Sequence, residues 1–175
     1  DARVLPQDVI WNNDETGYYT IDENSIVLVS TIGKKDKKIL SSEDVKNKKI
    51  ESFSFSQDKK NVLIFTNSVR VWRYNTRGNY WVYNLKTKQG KRLGSTLPDR
   101  SLMFAKFSPN GKKIAYVSKE IIPNSFRNSS TRANIYLETV EGNSIVKLTE
   151  SDEKGKIING TFDWVYEEEF SCRDG

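Results

Sequence analysis

The sequence predicts an all-β protein and, more particularly, part of a β-propeller. Its apolar segments are short, rich in Val, Ile, Tyr, Phe and Trp, and bounded by turn residues, as at 62–65, 80–83 and 114–117. Such segments are typical of strands. A stretch of sequence also recurs after 52 positions, from Phe55 to Phe107. A repeat of this length with four strands in each copy has the size of a propeller blade.

Each repeat contains four strands in chain order. The unit starts with a strand, a Ser-x-Asx turn and two basic residues, and continues with an apolar strand, at 53–65 and again at 105–117. A third and a fourth strand follow in each copy, at 80–85 and 90–93 and then at 133–138 and 145–148. We therefore expect two well-matched blades in this part of the chain.

The first 50 residues fit a more divergent copy. In it, residues 41–45 could begin a short helix capped by Ser41 or Ser42, and the Lys and Asn residues that follow are equally compatible with a loop. The predicted blades are approximately 1–50, 51–103 and 104–150, with the start of a next blade at 151–175. Propellers close with four or more blades, because a blade buries its faces only against neighbours. We therefore expect a fragment of a larger propeller, and a β-sandwich is the alternative.

The composition excludes several kinds of chemistry. The chain has 28 Lys and Arg, 23 Asp and Glu, one Cys and no His. It cannot complete a Ser-His-Asp triad, a Cys-His pair or a His-ligated zinc site by itself. The single Cys172 excludes an internal disulfide, and no apolar run is long enough to predict a membrane span.

The net charge of +5 comes largely from pairs of lysines beside turn formers, as at 59–60 and 112–113. This pattern predicts solvated hairpin turns on a β-rich surface. A nucleic-acid surface would need a basic stripe with interleaved aromatic residues. The lysine pairs lack that interleaving, so we expect no nucleic-acid partner.

Two stretches are candidates for binding. Residues 163–170 hold four acids framed by aromatic residues, and either form a solvated acidic loop or converge on an ammonium group, which offers three donors. Arg73 lies between Trp72 and Tyr74, where stacking can orient a guanidinium toward a carbonyl or carboxylate. The alternative for Arg73 is a surface side chain that covers Trp72.

Four stretches resemble the dipeptidyl peptidase IV family of serine exopeptidases. The Asp-Trp-Val-Tyr-Glu-Glu-Glu run at 163–169 looks like the double-glutamate motif of that family, and Ile-Asn-Gly at 158–160 precedes it. The run at 107–117 and the Trp-Arg pair at 72–73 are similar to the family's propeller. The resemblance covers roughly residues 50–175, and the acidic motif is its most specific part.

The resemblance implies an eight-bladed propeller that caps an α/β-hydrolase domain of the same parent chain, with the substrate held between them. It implies that Glu168 and Glu169 bind the protonated amino terminus of a peptide, while Arg73 contacts a substrate carbonyl. Arg77 is a rival for that second role, because the residues after Arg73 depart from the family's more usual small polar run. No catalytic residue, metal or cofactor is expected in this chain.

The sequence thus predicts the substrate-recognition propeller part of a serine exopeptidase that removes short N-terminal peptides, with no peptidase activity of its own. Family resemblance adds homodimer formation and a periplasmic or secreted location as expectations. The main alternative is a non-enzymatic propeller-type protein-interaction module that uses the acidic stretch as a docking patch. A third is a sugar-binding β-protein with Trp72, Trp81 and Trp164 as stacking platforms.

Overall fold

The computed structural model describes residues 9–71, 74–121, 131–151, 157 and 159–161. These residues form twelve strands and no α-helix, and all strand pairs are antiparallel. Within the described ranges, no helix that could cross a membrane is present. The strands are β1 (Ile10–Trp11), β2 (Gly17–Asp22), β3 (Ser25–Ser30), β4 (Lys37–Leu40), β5 (Ser52–Phe55), β6 (Asn61–Val71), β7 (Tyr74–Asn84), β8 (Gly90–Arg92), β9 (Leu102–Phe107), β10 (Lys113–Ile121), β11 (Thr131–Thr139) and β12 (Ile145–Lys147).

Consecutive strands pair in groups of four. We call β1–β4 meander 1, β5–β8 meander 2 and β9–β12 meander 3. Meander 1 is a separate sheet, whereas one pair, Gly78 with Leu102, joins meanders 2 and 3 into a sheet of eight strands. The prediction of all-β, four-stranded units is therefore confirmed. The division into blades at 1–50, 51–103, 104–150 and 151–175 stays a prediction.

The repeated Ser-x-Asx turns have the same hydrogen bonds in both copies. The serine hydroxyl donates to the Asx side chain, from Ser56 to Asp58 at 2.7 Å and from Ser108 to Asn110 at 2.8 Å. The same hydroxyls accept the backbone N–H of the first residue of the next strand, at 3.0 Å in both turns. Because these side chains bond locally to their own turn, they fix how β5 meets β6 and how β9 meets β10.

Alternate residues of the strands fill two apolar layers between the meanders. On β6, Val62 and Ile64 belong to the layer shared with meander 1, while Leu63 belongs to the layer shared with meander 3. All three are at most 2% exposed. Burying one such side chain stabilises a fold by about 1.5–3 kcal/mol. Meander 2 is thus packed on both faces, as a central blade requires.

Residues 41–47 form a hydrogen-bonded turn, and not the short helix with which the sequence is also compatible. Ser41 and Asp44 bond reciprocally, each side chain accepting the other's backbone N–H, at 3.1 and 2.9 Å. This is the start of a helix cap, but Lys46 and Asn47 have φ values of 55° and 54°. The left-handed backbone ends the turn before a helix can continue.

The paired lysines lie mainly at exposed turns, as expected. Lys48 and Lys59 are less exposed than most, because Lys48 Nζ lies 4.2 Å from the ring centroid of Trp81 and Lys59 Nζ lies 4.9 Å from that of Tyr19. The Lys59 contact joins meander 2 to meander 1, and the Lys48 contact joins the connection between them to meander 2. Burial, with a smaller contribution from the charge of Lys46, lowers the pKa of Lys48.

Candidate functional site

Arg73, Glu168 and Glu169, the three predicted binding residues, lie outside the described residues. The structure describes the segments on either side of Arg73 and the residues that lead to the acidic motif. In the described part of the chain, no group of three acidic, Cys or His side chains could hold a metal ion. The geometry that can be described is therefore that of two supporting segments, the β6–β7 hairpin next to Arg73 and residues 159–161 before the acidic motif.

Arg73 lies in the sequence between β6 and β7, which pair as a hairpin. Its strands pair from Asn61 with Asn84 to Val71 with Tyr74. The register shifts twice beyond Thr66. The apolar patterns at 62–65 and 80–85 located the base of this hairpin, whereas its extension to Val71 and Tyr74 has no such pattern and was not predicted.

Arg100, in the loop between β8 and β9, binds the part of this hairpin where the register shifts. Its guanidinium donates to two backbone carbonyls of the hairpin, Asn67 O at 3.2 Å and Ser68 O at 3.0 Å. Its own backbone N–H donates to Asn79 Oδ1 at 3.0 Å, and Asn79 Nδ2 donates to Asp99 Oδ1 at 2.9 Å. Carbonyls that the register shift takes out of the ladder thus have a cationic donor.

Arg77, the rival to Arg73, is half-buried on β7 opposite Val69. Its Nε is buried and has no hydrogen-bond partner within the described ranges. Gly78 follows it, and a Cβ at Gly78 would lie 2.5 Å from the Phe65 ring and 2.8 Å from Thr66 O. The absent side chain at Gly78 lets the two strands approach closely beside Arg77.

Meander 3 supports the chain that leads to the acidic motif. The backbone N–H of Asn159 donates to Ala133 O at 3.2 Å, which places Asn159 beside β11. Gly160 has a φ of 74°, and a Cβ there would lie 2.7 Å from Val117 Cγ2 and 2.9 Å from Ile135 Cγ1. Only glycine suits both that φ and that contact.

Asn134 is the centre of a polar cluster at this support. Its side chain is 5% exposed and donates from Nδ2 to Ser151 Oγ at 2.9 Å. Its Oδ1 accepts from Thr149 Oγ1 and from Asn159 Nδ2, both at 3.2 Å. Asn159 Nδ2 also donates to Glu150 O at 3.2 Å. One buried amide therefore holds the chain before and after residues 152–158.

The two supports lie on one line across the sheet. Gly78 pairs with Leu102, Leu102 with Ser118, and Ser118 with Asn134. Paired Cα atoms lie at most about 5.5 Å apart, so Gly78 and Asn134 are separated by no more than about 17 Å. The β6–β7 hairpin at Gly78 and the contact of Asn159 with β11 therefore lie in the same region of the sheet.

A second buried polar cluster joins meanders 2 and 3, and the sequence did not predict it. Glu138 is 2% exposed and accepts from Gly94 N and Tyr116 OH, both at 2.9 Å, while Lys91 Nζ lies 3.1 Å away. Lys91 Nζ also donates to Thr139 O at 2.6 Å. Burial, followed by the Glu138 carboxylate, raises the pKa of Tyr116.

Comparison with known proteins connects this arrangement to a family. The model of the dipeptidyl peptidase IV (DPP IV) N-terminal region matches residues 56–175. The human prolyl endopeptidase FAP is 30% identical over 159 residues, which are 91% of this chain and 19% of that protein. Dipeptidyl aminopeptidase B of Saccharomyces cerevisiae is 33% identical over 123 residues, 70% of this chain and 13% of that protein. The chain thus spans less than a fifth of these relatives.

A solved structure gives the same result for the fold. The crystal structure of Porphyromonas gingivalis dipeptidyl peptidase 4 superposes with a TM-score of 0.73 at 23% identity, over 94% of this chain and 22% of that one. Together with the three stacked meanders, this match confirms the expected all-β fold of a partial propeller. The start of a further blade was predicted at 151–175, most of which lies outside the described residues.

Proposed function

Because this chain belongs to the dipeptidyl peptidase IV family, we propose that it recognises substrates for a serine exopeptidase that removes short N-terminal peptides. The observation that carries the proposal is the double-glutamate motif at 163–169, which lies within the region of the family match. The register line from Gly78 to Asn134 supports it, since that line brings the approaches to Arg73 and to the acidic motif near each other.

In this proposal, Glu168 and Glu169 bind the protonated amino terminus of the peptide. An ammonium group has three donors, and two carboxylates in a partly dry cavity accept them more strongly than one exposed pair would. Arg73 donates to a carbonyl near the same end of the peptide, and Arg77 is the alternative donor. Fixing the amine limits how many residues fit before the cleaved bond, which makes the enzyme an exopeptidase.

The bond-breaking residues belong to another part of the protein. This chain has no His and cannot complete a Ser-His-Asp triad, so we assign the triad to an α/β-hydrolase domain of the same parent chain. We propose that the substrate is held between that domain and this propeller part. Homodimer formation and a periplasmic or secreted location belong to the same proposal.

The test is binding of a peptide with and without its amino charge, using the natural full-length chain that contains these residues. Calorimetry compares Ala-Pro with N-acetyl-Ala-Pro. Glu168→Gln and Glu169→Gln keep side-chain size but remove the charge, and Glu167→Gln is the matched control. We expect each of the first two changes to weaken Ala-Pro binding about 10-fold to 100-fold, the effect of one charged hydrogen bond.

The pH dependence gives a second check on the same complex. Binding needs ionised carboxylates and a protonated amine, so it should weaken below about pH 4–5 and above about pH 8.

Equal affinity for Ala-Pro and its acetylated form would contradict the proposal. That result would favour the protein-interaction module, which does not depend on a peptide amine.

A further inference from the structure

Burying an amide side chain on β11 has an unfavourable desolvation free energy, which a residue that only filled space would avoid. At Asn134, an apolar side chain would avoid the desolvation of both amide atoms, whereas an unpaired buried polar atom destabilises the fold by about 1–3 kcal/mol. Asn134 is nevertheless 5% exposed, and its side-chain partners among the described residues, Thr149, Ser151 and Asn159, come from the chain after β12. Its hydrogen bonds therefore select one position for that chain.

The anchor is reinforced by backbone and by shape. Thr149 Oγ1, which donates to Asn134, accepts the backbone N–H of Ile135 at 2.9 Å, so the cluster is tied to β11 at two successive residues. Gly160 fits against Val117 and Ile135, where any Cβ would clash. Polar and apolar contacts thus fix residues 159 and 160 in the same place, a few residues before the acidic motif.

We propose that Asn134 and Asn159 are positioning residues for the acidic motif, and that their hydrogen bond sets the affinity for a peptide amine. This inference rests on the proposed function and deepens it. The anchor acts through Glu168 and Glu169 and does not contact the substrate itself. The proposed function requires both carboxylates to reach one ammonium group, so we expect a looser anchor to weaken that binding.

The test uses Asn159→Asp, which keeps the size of the side chain but removes its donors to Asn134 and Glu150. Asn110→Asp is a matched control, because Asn110 Oδ1 only accepts hydrogen bonds, from Ser108 Oγ at 2.8 Å and Lys112 N at 3.1 Å. In meander 2, Asp58 already performs that role. Ser151→Ala is a second, milder variant, because it removes one acceptor from Asn134 near the surface.

Calorimetry with Ala-Pro and N-acetyl-Ala-Pro on the full-length chain gives both the dissociation constant and the fraction of binding-competent protein. We expect Asn159→Asp to raise the Kd for Ala-Pro about three-fold to ten-fold, and Ser151→Ala about two-fold. Asn110→Asp should leave it unchanged. The ratio between the two peptides should fall in the first two variants only, because only amine binding depends on the anchor.

The outcomes separate the two proposals. If Glu168→Gln and Glu169→Gln leave the preference for a free amine intact, the proposed function is wrong and this inference falls with it. If they abolish the preference while Asn159→Asp behaves like Asn110→Asp, the proposed function stands and the positioning role is overturned. A lower competent fraction with an unchanged Kd also overturns it, since that is the signature of a purely structural role. Should Asn159→Asp fail to fold, Ser151→Ala decides by the same criteria.

Discussion

Replacing Tyr116 with Phe tests the polar cluster that joins meanders 2 and 3. The change removes one oxygen, whose hydroxyl donates to Glu138 Oε2 at 2.9 Å, and keeps the ring stacked on Tyr136 with centroids 5.9 Å apart. Glu138 retains Gly94 N and Lys91 Nζ as partners. A buried hydrogen bond to a charged group contributes about 1.5–3 kcal/mol, so we expect Tyr116→Phe to lower the free energy of unfolding by about 2 kcal/mol at pH 7.

The pH dependence of this loss follows from the raised pKa of Tyr116. The folded protein holds the phenolic proton more tightly than the unfolded chain, so this contribution to stability is complete below the ordinary tyrosine pKa of about 10. Above that pH the unfolded chain gains from ionisation. The free energy of unfolding of the wild type therefore falls by up to about 1.4 kcal/mol per pH unit because of this residue. In Tyr116→Phe this contribution is absent. The difference between the two proteins should shrink by about 1 kcal/mol between pH 10 and pH 11, and more steeply above that.

Urea unfolding followed by tryptophan fluorescence, from pH 7 to pH 11, measures both effects. Tyr18→Phe is a suitable control, because Tyr18 is half-buried against Trp11 and its hydroxyl has no hydrogen-bond partner in the described part of the chain. The control should change stability by less than about 0.5 kcal/mol. A Tyr116→Phe protein as stable as wild type at pH 7, or a difference independent of pH, would refute the reasoning.

Two further predictions concern glycines. Gly111 has a φ of 68° in the Ser-x-Asx turn, so Gly111→Ala should destabilise the protein by about 1–2 kcal/mol. Gly111→Asn should destabilise it by clearly less, because asparagine tolerates this conformation. Thermal unfolding of the two variants checks this, and equal losses of stability would argue against backbone strain as the cause. Gly78→Ala should lower the midpoint of urea unfolding and speed amide exchange in the β6–β7 hairpin, because its Cβ would meet Phe65 and Thr66 O below 3 Å, and exchange as slow as in the wild type would show that the hairpin relaxes freely.

The local features of the fold could be predicted because their determinants are local. The Ser-x-Asx turns contain their own hydrogen-bond partners within six residues, and the period between the copies at Ser56 and Ser108 gives the size of the unit. Short apolar segments bounded by turn residues then identify the paired strands. The helix considered at 41–45 was wrong for a local reason too, since the left-handed conformation of Lys46 and Asn47 ends it.

The polar clusters could not be predicted from the sequence, because their partners are far apart along the chain. Glu138 pairs with Lys91 and Gly94, more than 40 residues earlier. Asn134 and Glu138 lie on β11 next to Ile135 and Leu137, and a polar residue in a strand is ordinarily interpreted as facing solvent. Their burial indicates a tertiary partner, but the pattern alone does not say which one. The roles of Arg73, Glu168 and Glu169 stay predictions.

The Ser-x-Asx turns lie at one end of each meander, and the two ends of a meander differ in how far the strand register depends on them. Each turn holds its strand register with bonds that depend on nothing outside the turn, so the alignment of a meander does not rely on the opposite ends of its long strands. An insertion beyond those ends, after Val71 in meander 2 or after Ile121 in meander 3, would leave the register at the turn unchanged. A family built on such units can acquire new specificity at one rim of the propeller while the other rim preserves its architecture.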